Sequence, residues 1–148
     1  MADAARPLRL VVHGAAGRMG QRVIACAAAD WTLVAAVERP GHPRAGADAA
    51  ALAGLPAAGV AVADAWTCPA DVVIDFSLPE AVAGILAACV AARVPLVVAT
   101  TGLGDREHAA IRDAARTIPI LQSPSMSLAV NISMDLVGRA AALVARAG

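Results

Sequence analysis

Apolar residues gather along this chain in short consecutive blocks, separated by stretches in which they recur at helical spacing. Leu8–His13 reads LRLVVH and ends at a glycine; a block apolar on consecutive positions suits a parallel strand buried on both faces. Gly17–Ala29 sets Met19, Val23, Ile24 and Ala27 on one face and predicts a helix. Thr32–Val37, TLVAAV, predicts a second strand, and Glu38–Pro43, with two prolines and a glycine, a turn. Gly46–Ala58 is weakly patterned: a short helix over Asp48–Ala53, then a loop, then a brief edge strand at Val60–Ala63. Asp71–Phe76, DVVIDF, is a clear strand. Leu78-Pro79-Glu80 opens a helix that runs to Ala92, since proline is tolerated in a first turn and Glu80 suits the positive end of the helix dipole. Leu96–Ala99 is the next strand, Gly104–Thr117 a helix charged on its outer face, and Pro119–Gln122 a strand. Ser127 or Asn131 opens a last helix to Ala147.

Strands alternate with helices throughout, which predicts βαβ units, right-handed crossovers and an α/β fold with a doubly wound parallel sheet in three αβα layers. No internal repeat or linker interrupts it, and 148 residues suit one domain. The chain is 59% hydrophobic but only 2% aromatic, so its core must be built from Ala, Val, Leu and Ile, which favours thin helices lying close on the sheet. The formal net charge is zero, which leaves no electrostatic footprint for nucleic acid. Cys26, Cys68 and Cys89 are odd in number and widely spaced. That pattern argues against a disulfide framework or a metal site and reads as buried, reduced thiols. Met1–Arg9 carries Asp3, Arg6 and Arg9 and does not read as a signal peptide. The uncharged runs Ala49–Ala63 and Thr117–Met134 are broken by proline, so neither reads as a membrane span, which needs about 20 mostly apolar residues. The expectation is a cytoplasmic protein with no membrane partner.

The chemistry begins where the first strand meets the first helix. Gly14-Ala15-Ala16-Gly17-Arg18-Met19-Gly20 holds a G-x-x-G-x-x-G pattern in the place where such a pattern has meaning. Gly14 permits a tight turn, Gly17 lets backbone approach a diphosphate with no Cβ in the way, and Gly20 lets the helix pack closely. The helix start then offers free N–H groups and partial positive charge to phosphate. Arg18 reads either as added charge near the phosphates or as a solvated helix residue. Dinucleotide sites of the Rossmann type carry an acid at the end of the second strand, about 20 residues on, for the adenosine ribose. Glu38 fits, and Arg39 beside it can meet a 2′-phosphate and stack on adenine. The pair therefore suits both NADH and NADPH.

Four segments in order then resemble one family, the 4-hydroxy-tetrahydrodipicolinate (dihydrodipicolinate) reductases. They are the loop Gly14–Gly20 with its Arg-Met pair, the segment Val73–Glu80 (VIDFSLPE), the segment Ala99-Thr100-Thr101-Gly102, and the segment Ser123–Asn131 (SPSMSLAVN). The resemblance covers nearly the whole chain and implies the N-terminal cofactor half of such a reductase. It implies that Gly14, Ala15, Ala16, Gly17, Arg18 and Met19 hold the diphosphate and that Glu38 and Arg39 hold the adenosine ribose side. It further implies that Phe76 and Ser77 end a strand beside the cofactor, that Ala99, Thr100, Thr101 and Gly102 line the nicotinamide side with Thr101 also facing substrate, and that Ser123, Pro124, Ser125 and Met126 close over the nicotinamide ribose and amide. Thr100, Ser123 and Ser125 also read as ordinary caps and turn residues. Ala99, Ser125 and Ala129 depart from the family pattern, which has Gly, Asn and Gly there.

The same resemblance implies residues this chain does not carry. The family's second domain supplies a His-His pair and a Lys for acid catalysis, whereas all 12 basic residues here are Arg and the three histidines are isolated. His13 reads as packing or a local hydrogen bond, and His42 and His108 as exposed. No catalytic residue and no metal ligand is therefore assigned. Residues 1–130 read as the NAD(P)H-binding domain and 131–148 as a terminal helix leading toward an absent substrate domain, the chain being a piece of the full reductase or else a natural short protein. The family's partners are a small dicarboxylate substrate and, through the absent half, three further copies in a homotetramer. The competing readings are a stand-alone dinucleotide-binding or sensing module and a related amino-acid dehydrogenase.

Overall fold

The structure is a computed structural model that describes residues 6–27 and 30–147. Six strands form one sheet: β1 (Leu8–His13), β2 (Trp31–Val37), β3 (Val62–Ala63), β4 (Val72–Asp75), β5 (Leu96–Val98) and β6 (Ile120–Gln122). The helices are α1 (Arg18–Ala27), α2 (Ala49–Leu52), α3 (Pro79–Ala92), α4 (Asp105–Ala114) and α5 (Leu128–Ala147). The spatial order is β3-β2-β1-β4-β5-β6, with every neighbouring pair parallel. The chain builds outward from β1 in one direction, returns to the middle at β4, and builds outward in the other. This is the doubly wound arrangement expected from the alternation of elements, and its crevice opens where the order reverses, between the tips of β1 and β4.

Side-chain alternation along the central strands divides the core into two. Leu10 and Val12 of β1 point to one face, where they meet Ile24 of α1, Ala49 of α2 and Val62 of β3. Val11 and Val73 point to the other, against Val82, Ile85, Leu86 and Cys89 of α3 and Ile111 of α4. Both sides of β1 are thus sealed, which is why its apolar residues run consecutively. The weakly patterned stretch after β2 is organised by one carboxylate. Asp48 caps α2 by accepting from Ala51 N–H at 2.9 Å, and it accepts from Gly59 N–H at 2.7 Å to fold the following loop back. At the opposite end of the sheet from the crevice, Asp71 takes a bidentate hydrogen bond from Arg6, at 2.7 and 2.8 Å, and a contact from Arg9 at 2.9 Å. The two guanidinium groups, Arg6 foremost, hold the Asp71 carboxyl far below the usual carboxylate range.

Three expectations change. Cys26 is exposed and Cys68 half-buried; only Cys89 is the sealed thiol foreseen, its pKa pushed up to about 12 by burial and then by the Asp75 charge. His42 and His108 are half-buried rather than exposed. His42 Nδ1 accepts from Arg44 N–H at 3.2 Å, and His108 Nδ1 lies 3.0 Å from Gln122 Nε2. The largest change concerns α5. Among the described residues it is the one helix long and apolar enough to cross a membrane by length and composition, and Leu128–Arg146 is exposed throughout. In the sequence the uncharged run Thr117–Met134 ends at Asp135, which cuts this segment in two. In the helix, Asp135 and Arg139 fall four residues apart and pair at 2.9 Å, leaving Arg146 as the helix's one other charged residue. The helix opens at Leu128, with Ser127 Oγ accepting weakly from Val130 N–H at 3.4 Å, so Ser127 rather than Asn131 marks its start. Ala28 and Ala29 of the first predicted helix, like residues 1–5 and 148, lie outside the described residues.

Candidate functional site

The glycine loop between β1 and α1 is fixed by its own backbone. Gly14 N–H and Ala15 N–H both donate to Val37 O, at 2.9 and 3.2 Å, which ties the loop to the tip of β2. Gly17 N–H donates back to Gly14 O at 3.1 Å, and Gln21 N–H to Gly17 O at 3.0 Å begins the helical ladder. The N–H groups of Arg18, Met19 and Gly20 have no partner among the described residues, as the first turn of a helix requires. They form the anion-receptive end of the site, sharpened by the helix dipole.

Two of the three glycines are demanded by space. Gly14 has φ +75°, and a Cβ there would stand 2.6 Å from Phe76 O. A Cβ at Gly20 would stand 2.1 Å from Gly14 O, so this glycine lets α1 close on the loop that precedes it. Gly17 differs: its Cβ would meet only Gly14 O, at 3.1 Å, and its φ is ordinary. The fold tolerates a side chain there better than a bound ligand would.

Glu38, at the tip of β2, reaches over to the glycine loop, and its Oε1 accepts from Ala16 N–H at 3.0 Å. The carboxylate is therefore held at the mouth of the loop. Around it, cavities of about 290 and 510 Å³ adjoin, sharing His13, Glu38, Arg39, Glu80 and Ala81. The first adds Gly14, Ala16, Gly17, Phe76 and Ser77; the second adds Trp66 and the apolar face of α3. Of the sequence-predicted residues, these cavities gather Gly14, Ala16, Gly17, Glu38, Arg39, Phe76 and Ser77. Ala15 is buried beneath the loop with its N–H spent on Val37 O, and the side chains of Arg18 and Met19 line a separate hollow beside α2, so these two have only backbone to offer the crevice.

The remaining predicted residues sit at the tips of β5 and β6, further along the same edge of the sheet. Ala99 and Thr100 are buried, whereas Thr101 and Gly102 are exposed. Ser123 donates its hydroxyl to Ser125 O at 2.7 Å, and Asn131 Nδ2 donates to Ser125 O and Ser127 O at 2.9 and 2.8 Å. The segment from Ser123 to Met126 is thus a self-bonded turn clipped to α5, as the turn-residue reading of Ser123 and Ser125 anticipated.

One central residue was not singled out from the sequence. Asp75 ends β4 with no solvent exposure, and its carboxylate accepts from His13 Nδ1 at 2.7 Å, Thr100 Oγ1 at 2.7 Å and Ser77 N–H at 3.1 Å. Burial alone would raise its pKa, but the hydrogen bonds, that of His13 first, prevail and hold the carboxyl below its usual range. The ionised carboxylate is acceptor-only, so the His13 Nδ1 bears the proton. Asp75 thereby joins the tips of β1, β4 and β5 directly beneath the crevice. The available signal was register: with β1 beside β4, His13 and Asp75 are direct neighbours, each a polar residue closing an apolar run.

Against known proteins, residues 8–126 match the family described as "Dihydrodipicolinate reductase, N-terminus". The chain is 46% identical over 143 residues to a 4-hydroxy-tetrahydrodipicolinate reductase of Rhodopirellula baltica, covering 92% of this chain and 51% of that protein. It is 48% identical over 138 residues to one of Alkalilimnicola ehrlichii, covering 90% and 52%. The chain thus spans about half the length of the curated relatives it matches. Among solved structures, a dipicolinate-bound dihydrodipicolinate reductase from Paenisporosarcina superposes with a TM-score of 0.68 at 20% identity, over 92% of this chain and 54% of that one, which bears on the fold.

Proposed function

Since the chain belongs to the dihydrodipicolinate reductase N-terminal family, we propose that it binds NAD(P)H across the tips of β1, β2, β4 and β5, as the cofactor half of a reductase. The substrate would be 4-hydroxy-tetrahydrodipicolinate, a small dicarboxylate on the route to diaminopimelate and lysine, in the cytoplasm. The observation that carries the reading is the pairing of three unpartnered N–H groups at the start of α1 with a carboxylate held 3.0 Å from Ala16 N–H. One end accepts an anion and the other accepts sugar hydroxyls, the two kinds of group that a nucleotide diphosphate presents.

In this reading the N–H groups of Arg18 and Met19 bind the diphosphate, and Ala15 and Ala16 shape its seat. Glu38 takes the adenosine ribose and Arg39 lies over the adenine or a 2′-phosphate, so both NADH and NADPH are accommodated. Phe76 and Ser77 flank the cofactor. Ala99 to Gly102 and Ser123 to Met126 receive the nicotinamide half, with exposed Thr101 meeting a substrate carboxylate. The bound nicotinamide supplies hydride; the chain's own residues orient it and exclude water. Reduction also needs a cationic or acidic group to take the developing charge. The crevice offers neither Lys nor a free His-His pair, so the isolated domain is expected to bind cofactor without turning substrate over. Residues 131–148 would lead to the segment that supplies that chemistry and, as in the family's tetramer, the subunit contacts.

The test is calorimetric titration of the chain with NADH and NADPH. Saturable 1:1 binding of both is the expected result. Absence of heat with either, from a protein that melts cooperatively, would refute the reading.

A further inference from the structure

His13 has no part in the reading above, yet it lines both cavities while only 7% exposed. We propose that His13 is a binding residue of the crevice, its Nε2 lone pair accepting a hydrogen bond from the adenosine half of a bound dinucleotide, with Asp75 the positioning residue that fixes its tautomer. The inference rests on the dinucleotide reading and adds to it.

Three observations carry it. His13 Nδ1 is committed to Asp75 at 2.7 Å, and that carboxylate has two further donors and no proton of its own, so the neutral ring must be the Nδ1–H tautomer. The other ring nitrogen, Nε2, has no hydrogen-bond partner among the described residues. Since no buried side-chain nitrogen or oxygen among them lacks a partner, Nε2 is not sealed in the core and reaches the crevice. With Nδ1 holding the ring's single proton, that nitrogen is an acceptor, and this fixes the ligand group the proposal commits to. A diphosphate has no donor to offer it. Adenosine has several, the ribose O–H groups and the amine of the base, and Glu38 and Arg39 place that half of the molecule beside His13.

His13→Asn separates the two ring nitrogens. The amide nitrogen stands where Nδ1 stood and still donates to Asp75, and nothing stands at Nε2. The expected result is a rise of about 3- to 10-fold in Kd for NADH and for ADP-ribose, the cost of one hydrogen bond, with inorganic diphosphate affinity unchanged. In the unsubstituted protein, imidazole ¹⁵N shifts should report the Nδ1–H tautomer and move at Nε2 when ADP-ribose is added. Asp75→Asn should scramble the tautomer, an effect that a purely structural role would not produce. A folded His13→Asn that binds ADP-ribose as before overturns the role of His13 and leaves the dinucleotide reading standing. So does a proton on Nε2, in the other tautomer or in a doubly protonated ring, or an Nε2 resonance indifferent to ADP-ribose, which decides the matter even if the variant fails to fold. An unsubstituted chain that binds neither NADH nor ADP-ribose overturns both.

Discussion

Gly20→Ala is expected to destabilise the domain by about 3 kcal/mol or more, although alanine is the better helix former by about 1 kcal/mol. The new methyl would stand 2.1 Å from Gly14 O and 2.8 Å from Ala15 Cα, both backbone atoms. Neither can swing aside, because Gly14 and Ala15 are tied through their N–H groups to Val37 O. Relief requires α1 to lift from the loop, which uncovers Ile24 and opens the cluster it shares with Leu10 and Val12. Against a total stability of about 5–15 kcal/mol, the loss amounts to a fall in Tm on the order of 10 °C. Gly84→Ala in α3 is the control, since a Cβ there meets nothing within 4 Å and should stabilise slightly. Thermal melts of the two variants decide the matter: equal midpoints would mean that α1 does not lie on the loop as closely as described.

Gly17→Val is expected to do the reverse, abolishing cofactor binding while leaving the fold. Its Cβ would touch only Gly14 O, at 3.1 Å, and its backbone is not in the left-handed region, so the structural cost is about 1–2 kcal/mol. The branched side chain would nonetheless project from the exposed rim of the loop into the space where a diphosphate must approach the Arg18 and Met19 N–H groups. Losing those contacts should weaken NADH at least about 100-fold, a change of roughly 2.7 kcal/mol or more. Calorimetry beside a melting curve checks it. Normal affinity in a folded variant would mean that the diphosphate does not sit on this loop. The contrast between the two glycines separates what the turn needs for folding from what it needs for its ligand.

The glycine loop, the acid at Glu38 and the doubly wound order were legible in the sequence because each rests on local pattern: a run of β-branched residues, a helix period, glycines between them. What was not legible depends on neighbours distant in the chain. Asp75 falls within the predicted strand Asp71–Phe76, and only its register beside His13 and the arrival of Thr100 from just beyond β5 make it a hub. Which loop N–H groups remain free was equally hidden, since Gly14 and Ala15 spend theirs on Val37. The apolar length of helix α5 was hidden because its two central charges neutralise one another only once the helix forms. The departures at Ala99 and Ser125 fall in well-formed local structure: Ala99 N–H completes the sheet on Asp75 O at 2.9 Å, and Ser125 sits in the turn clipped by Asn131.

The central claim, that the first turn of α1 is the diphosphate seat, is tested most directly by following backbone amide resonances while ADP-ribose is added. The expected result is that Arg18 and Met19 N–H signals move most, with Ala16 shifting as Glu38 turns toward the ribose, and that α5 signals stay still. Movement confined to residues away from the glycine loop would contradict the claim.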